Sequence, residues 1–226
     1  DLEPLAGQWE ASLAQVIDDP EPGIEQALVL VGSDKRGTIF AMMELSRMMG
    51  VSPWYWWADV PVERQSELYV APGARYLESP KIRYRGIFIN DEAPALSGWA
   101  HEKFGGFNRE FYAKVFELIL RHKANYLWPA MWGRSLWDDD PATDELAHEL
   151  GVVLGTTHHE PMMRAHVEGE RYGEGAWNYL KNNERLRDFW RKGIERRGEH
   201  ESLVTVGMRG DGDEPMSEER DIALLQ

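Results

Sequence analysis

Three short segments gather the side chains of this sequence best suited to move protons or grip a polar ligand. They are Asp91-Glu92, His158-His159-Glu160 and Arg209-Gly210-Asp211-Gly212-Asp213-Glu214. Each follows a short apolar run, so each reads as the polar end of a strand. Carboxyl groups at several strand ends, with a guanidinium, two imidazoles and nearby tryptophans, suit glycoside hydrolysis. In that chemistry one carboxylic acid protonates the leaving oxygen while a second carboxylate activates water or attacks. Asp91, Glu92, Asp211 and Asp213 are therefore the candidate catalytic acids. Loop solvation or helix capping is the competing reading of Asp91 and Glu92.

On an extended strand alternate side chains share a face. That rule predicts Arg209, Asp211 and Asp213 aimed together at one side, provided the intervening glycines do not turn the chain. It puts His158 and Glu160 on one face and His159 on the other. Asp91 continues the face of Ile87 and Ile89, and Glu92 that of Phe88 and Asn90. Adjacent histidines on a strand cannot easily chelate one ion, unlike a helical i, i+4 pair. Nor does Asp211 open a calcium loop, because Pro215 and Ile222 stand where ligands are needed. No metal and no cofactor is expected. His101, His122, His148, His166 and His200 read as structural or exposed.

The elements that must position these groups repeat from Lys81 onward as strand, polar loop and helix. Strands are predicted at Arg85–Asp91, Asn125–Trp128, Val152–Thr156 and Leu203–Gly207. Helices are predicted at Asn108–Lys123, at Asp144–Leu150 with Thr143 as cap, at Glu184–Arg197, and from Ser217. Repeated βα units with apolar strands imply a parallel sheet covered by helices, either a barrel or a doubly wound sheet. Chemistry-bearing groups at strand ends with no Gly-rich phosphate loop favour the barrel. A complete (β/α)8 barrel takes about 250 residues, so the stretch after Ser79 suffices for about four units.

The first 80 residues read differently. Leu5, Trp9, Leu13 and Val16 have helical spacing over Leu2–Ile17, closed by Asp18-Asp19-Pro20-Glu21-Pro22-Gly23. Ala27–Val31 reads as a strand, Gly37–Met49 as a helix ending at Gly50, and Glu67–Val70 as a second strand. The fold class is thus α/β: an N-terminal α/β domain over 1–80, then the first half of a TIM barrel over 81–226.

Among 226 residues there are 39 acidic and 25 basic, a net charge of −14, with no cysteine and 10 tryptophans. The first 80 residues hold 13 of the acids and 5 of the bases. With no run of Lys and Arg, neither a nucleic acid nor an anionic membrane is the expected partner, because phosphates need clustered cations. No stretch of ~18 apolar residues occurs. The opening Asp1-Leu2-Glu3-Pro4 is neither an initiator Met nor a signal peptide, so the natural start is expected upstream, and the compartment is left open. Without cysteine there are no disulfides and no thiol nucleophile. The tryptophans cluster as Trp54, Trp56 and Trp57, then Trp128, Trp132 and Trp137, which suits a sugar cleft as well as a core.

Six segments, in order, resemble glycoside hydrolase family 115: Ser33–Phe40 (SDKRGTIF), Ser52–Pro61 (SPWYWWADVP), Gly86–Leu96 (GIFINDEAPAL), Asn125–Gly133 (NYLWPAMWG), Thr156–Ala165 (TTHHEPMMRA) and Val206–Met216 (VGMRGDGDEPM). The resemblance implies an inverting xylan α-1,2-glucuronidase that releases glucuronic acid or its 4-O-methyl ether from glucuronoxylan. It implies a small N-terminal domain, a (β/α)8 barrel, a helical insertion and a C-terminal domain used in homodimers, of which this sequence holds the first domain and half the barrel. Asp91, Glu92, His158, His159, Glu160, Arg209, Asp211 and Asp213 match positions at the family's pocket, and Trp132 borders the substrate. Gly169 departs from the pattern, standing where a large aromatic is expected. A uronate needs cations or neutral donors, so Arg209, Lys35, Arg36 and the two imidazoles are its candidate partners. Two other readings stay open: a hexosaminidase-like barrel using Asp213 and Glu214, and a non-catalytic sugar-binding module.

Overall fold

The chain divides into two compact units, one of Asp1–Arg85 with Phe116–Asn125, the other of Gly86–Val115 with Tyr126–Gln226. In the computed structural model residues 2–215 are described. The helix expected from Ser217 lies outside them.

The first unit is a three-stranded antiparallel sheet with a helix. Strands β1 (Ser12–Glu21) and β2 (Ile24–Gly32) form a hairpin turning at Gly23, whose φ of 90° suits glycine. Strand β3 (Ala74–Leu77) pairs with the other edge of β1, for the order β2-β1-β3. This overturns the helix expected over Leu2–Ile17, where only a 3-10 turn at Glu3–Leu5 is helical. The spacing fits a helix, but Ala14 and Val16 find Leu30 and Leu28 across the hairpin. A non-local ladder of apolar pairs outweighs local periodicity. The strand expected at Glu67–Val70 is likewise not formed. That stretch is exposed coil, and the pairing partner of β1 begins only after Gly73.

Helix α1 (Lys35–Met48) starts where the glycines and Asp34 allow. One Asp34 oxygen accepts the Gly37 N–H and the other the Glu10 N–H, both at 2.8 Å. A Cβ on Gly37 would lie 2.2 Å from the Ala11 carbonyl oxygen, so only glycine lets the helix sit this close to β1. Behind it the buried Glu10 carboxylate meets Arg36 Nε and Arg85 Nη2, each at 2.5 Å, and Asn125 Nδ2 at 2.6 Å. Trp56 packs edge-on to Trp57, and Trp54 edge-on to His122, so the first tryptophan cluster packs within this unit.

The second unit holds four parallel strands in chain order: β4 (Gly86–Phe88), β5 (Tyr126–Trp128), β6 (Val153–Gly155) and β7 (Ser202–Leu203). Between β4 and β5 come α2 (Ala95–Phe104) and α3 (Arg109–Arg121); α3 is the helix expected from Asn108, and the Asn108 side chain caps it through the Phe111 N–H. The sequence reading omitted α2, although Gly105, left-handed at φ 78°, marks its end. Helices α4 (Leu136–Asp139) and α5 (Ala142–Leu150) follow β5, and α6 (His166–Tyr172) and α7 (Tyr179–Glu195) follow β6. Thr143 is not the cap of α5. It is fully buried inside the helix, which Pro141 initiates with its fixed φ. Helix α7 begins five residues earlier than Glu184, because Asn178 accepts the Lys181 N–H. Leu127, Val153 and Leu154, all without exposed surface, form the centre of the sheet.

Candidate active site

All of the site's side chains lie in the second unit, on the loops that leave the carboxyl ends of its strands. After β4 the alternation holds: Ile89 and Asp91 are buried, Asn90 and Glu92 exposed. The Asp91 carboxylate accepts the Met131 N–H at 2.9 Å and the Trp132 N–H at 3.2 Å. Burial pushes its pKa up while these two N–H groups pull it down. Asp91 thereby clamps the loop after β5, and Tyr112 supports the same loop by accepting the Ala130 N–H.

After β6 the alternation fails. The chain turns at His158-His159, with the Glu160 N–H on the Thr157 carbonyl at 3.0 Å. His159 and Glu160 are buried and His158 is left exposed, so the pairing of His158 with Glu160 on one face is overturned. The His159 ring stacks on Trp132 with centroids 5.7 Å apart, and its Nε2 lies 3.2 Å from Met131 Sδ. Its Nδ1 is buried and, among the described residues, has no hydrogen-bond partner. Burial holds this imidazole below its ordinary pKa, hence neutral at pH 7. Glu160 accepts the His166 N–H at 2.7 Å, and burial raises its carboxyl to about 8, a protonated acid at neutral pH. It spans a tight turn in which Met162 and Met163 both take positive φ.

After β7 the glycines do turn the chain. Gly210 donates to the Glu214 carbonyl at 2.9 Å, and a Cβ on Gly210 would strike Pro215 O at 2.5 Å. The in-phase arrangement of Arg209, Asp211 and Asp213 is thereby replaced by a loop in which Asp213 folds back. Its Oδ1 meets Arg209 Nη1 at 2.9 Å and His158 Nε2 at 3.0 Å. Asp211 and Glu214 are exposed, with Asp211 3.7 Å from His166 Nε2.

The structure brings together Asp91, Trp132, His158, His159, Glu160, Arg209, Asp211 and Asp213, and leaves Glu92 exposed beside them. Lys35 and Arg36 open α1 of the first unit, where Arg36 is bound to Glu10. Trp177 and Glu168 escaped the sequence reading, and His166, which it took as structural or exposed, stands at the site as well. His166 sits with its ring 5.8 Å from that of His159. Trp177 donates its indole N–H to the Arg209 carbonyl at 3.0 Å. Buried Glu168 joins Ser135, Arg164 and Arg196 beneath the site. Burial pushes the Glu168 carboxyl up, but Arg196 and Arg164 more than offset this and hold it below its usual value. Only the i, i+4 spacing of Arg164 and Glu168 signalled that network.

Residues 77–226 match the model of glycosyl hydrolase family 115. The chain is also similar to a solved structure described as a family GH115 4-O-methyl-alpha-glucuronidase with specificity for decorated arabinogalactans. The identity is 34% and the TM-score 0.87, over 98% of this chain and 30% of that one. The chain thus spans 30% of that protein's length. No curated protein matches it.

Proposed function

Because the chain belongs to glycosyl hydrolase family 115, we propose that it supplies part of the active site of an inverting α-glucuronidase. The substrate is glucuronoxylan or its oligosaccharides, and the bond cleaved is the α-1,2 link to glucuronic acid or its 4-O-methyl ether. The four parallel strands are, on this reading, the first half of a (β/α)8 barrel preceded by a small α/β domain. The observation that carries the reading is Asp213 held between Arg209 and His158 at the mouth of the sheet.

Arg209 and neutral His159 offer donors to the uronate carboxylate and ring hydroxyls, while Asp213 stands by as acid or base. In an inverting hydrolysis one carboxyl group gives its proton to the glycosidic oxygen. The other takes a proton from the water that attacks the anomeric carbon from the opposite face. The second carboxyl group lies about 6.5–9.5 Å away, leaving room for that water. Asp91, with both oxygens engaged by the main chain, serves in positioning Trp132. Besides Glu160, which burial keeps protonated, Glu92, Asp211 and Glu214, all exposed, are the remaining acids near the pocket.

A second glycan fits the relative's description: an arabinogalactan bearing the same uronic acid. Incubation of the natural protein that carries this chain with glucuronoxylan oligosaccharides and with decorated arabinogalactan, followed by proton NMR, separates the two. The first-formed uronic acid should be the β anomer, and Asp213→Asn should lower kcat by about 10²-fold or more. An α anomer, near-normal turnover of Asp213→Asn, or release of N-acetylhexosamine alone would sink the reading. Sugar binding without hydrolysis would point to a binding module.

A further inference from the structure

Within the second unit a cavity of about 310 Å3 lies between α6, the Gly173–Trp177 segment and α7. His166 and Asp211 line it and also belong to the site; Gly169, Tyr172, Trp177 and Asn182 line it further out. A row of rings joins the two places. From Trp132 the centroids step 5.7 Å to His159, 5.8 Å to His166 and 6.3 Å to Trp177.

The wall is held in place by specific bonds. Asn182 departs from helical geometry inside α7, at φ −143°, and its Nδ2 donates to the carbonyls of Glu174 at 2.6 Å and Ala176 at 3.1 Å. Trp177 is tied to the site loop through Arg209. Gly169 keeps the space open: a Cβ there touches only Trp177, at 3.9 Å, so a longer side chain would project into the cavity.

An indole face beside a carboxylate and an imidazole suits a pyranose, whose C–H face is apolar and whose hydroxyls both donate and accept. The cations lining the cavity, Arg164, Arg185 and Lys192, are each paired and are matched by the lining acids Glu170, Glu174, Asp188 and Asp211. Arg185 pairs with Glu174 at 2.6 Å, Lys192 with Asp188 at 2.8 Å, and Arg164 with Glu168 at 2.5 Å. Among the described residues lining it, Lys and Arg do not outnumber the acids, so the cavity offers no excess of positive charge to draw a second uronate. We propose that this cavity is a subsite for a neutral sugar of the glycan that bears the uronic acid; the proposal rests on the glucuronidase reading above.

The test compares Gly169→Trp and Gly169→Leu with the unsubstituted natural protein on two substrates. One is a neutral oligosaccharide bearing a single glucuronic acid, the other 4-nitrophenyl α-glucuronide, which has no sugar to place in the cavity. Gly169→Trp should lower kcat/KM on the oligosaccharide by about tenfold or more, and leave the aryl substrate unchanged. Leucine, a smaller plug and a better helix former than glycine, should cause a smaller loss of the same kind. Unchanged kcat/KM on the oligosaccharide for both variants overturns the subsite, as does an equal loss on both substrates. Failure of the unsubstituted protein to cleave either substrate overturns the glucuronidase reading instead.

Discussion

His158 Nε2 and Asp213 Oδ1 lie 3.0 Å apart, joining the loop after β6 to the loop after β7 across 55 residues of sequence. Asp213 also receives Arg209 from its own loop, so its orientation depends on both strands. Groups that act as one unit give non-additive losses. We expect His158→Ala to lower kcat by about 10-fold or more, and the double variant with Asp213→Asn to be no slower than Asp213→Asn alone. Steady-state kinetics of the four proteins decides this, and multiplied losses would mean the two residues act separately.

Glu160 makes the fold sensitive to alkali. Its carboxyl is raised by burial from an ordinary 4.5 to about 8, so the native state holds a proton that the unfolded chain releases. The stability it contributes is complete below pH 4.5 and is lost as pH rises through about 8. Glu160→Gln mimics the protonated form. The fall in melting temperature between about pH 5 and about pH 8.5 should be shallower in this variant than in the parent. Parallel curves would contradict the assignment.

Asp91 should matter through the loop it holds. In Asp91→Ala the N–H groups of Met131 and Trp132 lose their acceptor, a cost of about 1–3 kcal/mol per group left buried and unpaired. Urea unfolding measures that loss. Trp132 fluorescence in the folded protein should also shift as its stack on His159 loosens, and an unaltered spectrum would argue against the clamp.

In the first unit Glu10 is the carboxylate shared by Arg36 and Arg85, with no exposure of its own side chain. Glu10→Gln should therefore destabilise by about 3–5 kcal/mol, since two guanidinium groups lose their counter-charge. Thermal unfolding tests this, and a change below about 1 kcal/mol would mean that water screens the cluster.

The parallel sheet was legible because each strand of the second unit is a short apolar run ending in polar residues, and such runs need only neighbours in chain order to pair. The hairpin of β1 and β2 was not. Its pattern of Leu13, Val16 and Ile17 satisfies a helix locally, and only the distant partner Leu28–Val31 decides otherwise. The candidate site residues were chosen by type, and the directions expected for them were wrong where the chain turns, at His158-His159 and at Gly210. Strand alternation says nothing once the ladder ends. His166 was read as structural or exposed, and Trp177 was missed, for a related reason: they come to the site from α6 and the loop beyond it, far from any strand end.

The clamp on the loop after β5 is made from main-chain N–H groups alone. What Asp91 grips is the shape of the loop and not its spelling, so its hold does not depend on which side chain stands at position 132, whereas the stack on His159 does. The course of the loop and the ring that stacks on His159 are accordingly set by different bonds, and single substitutions can alter one without the other.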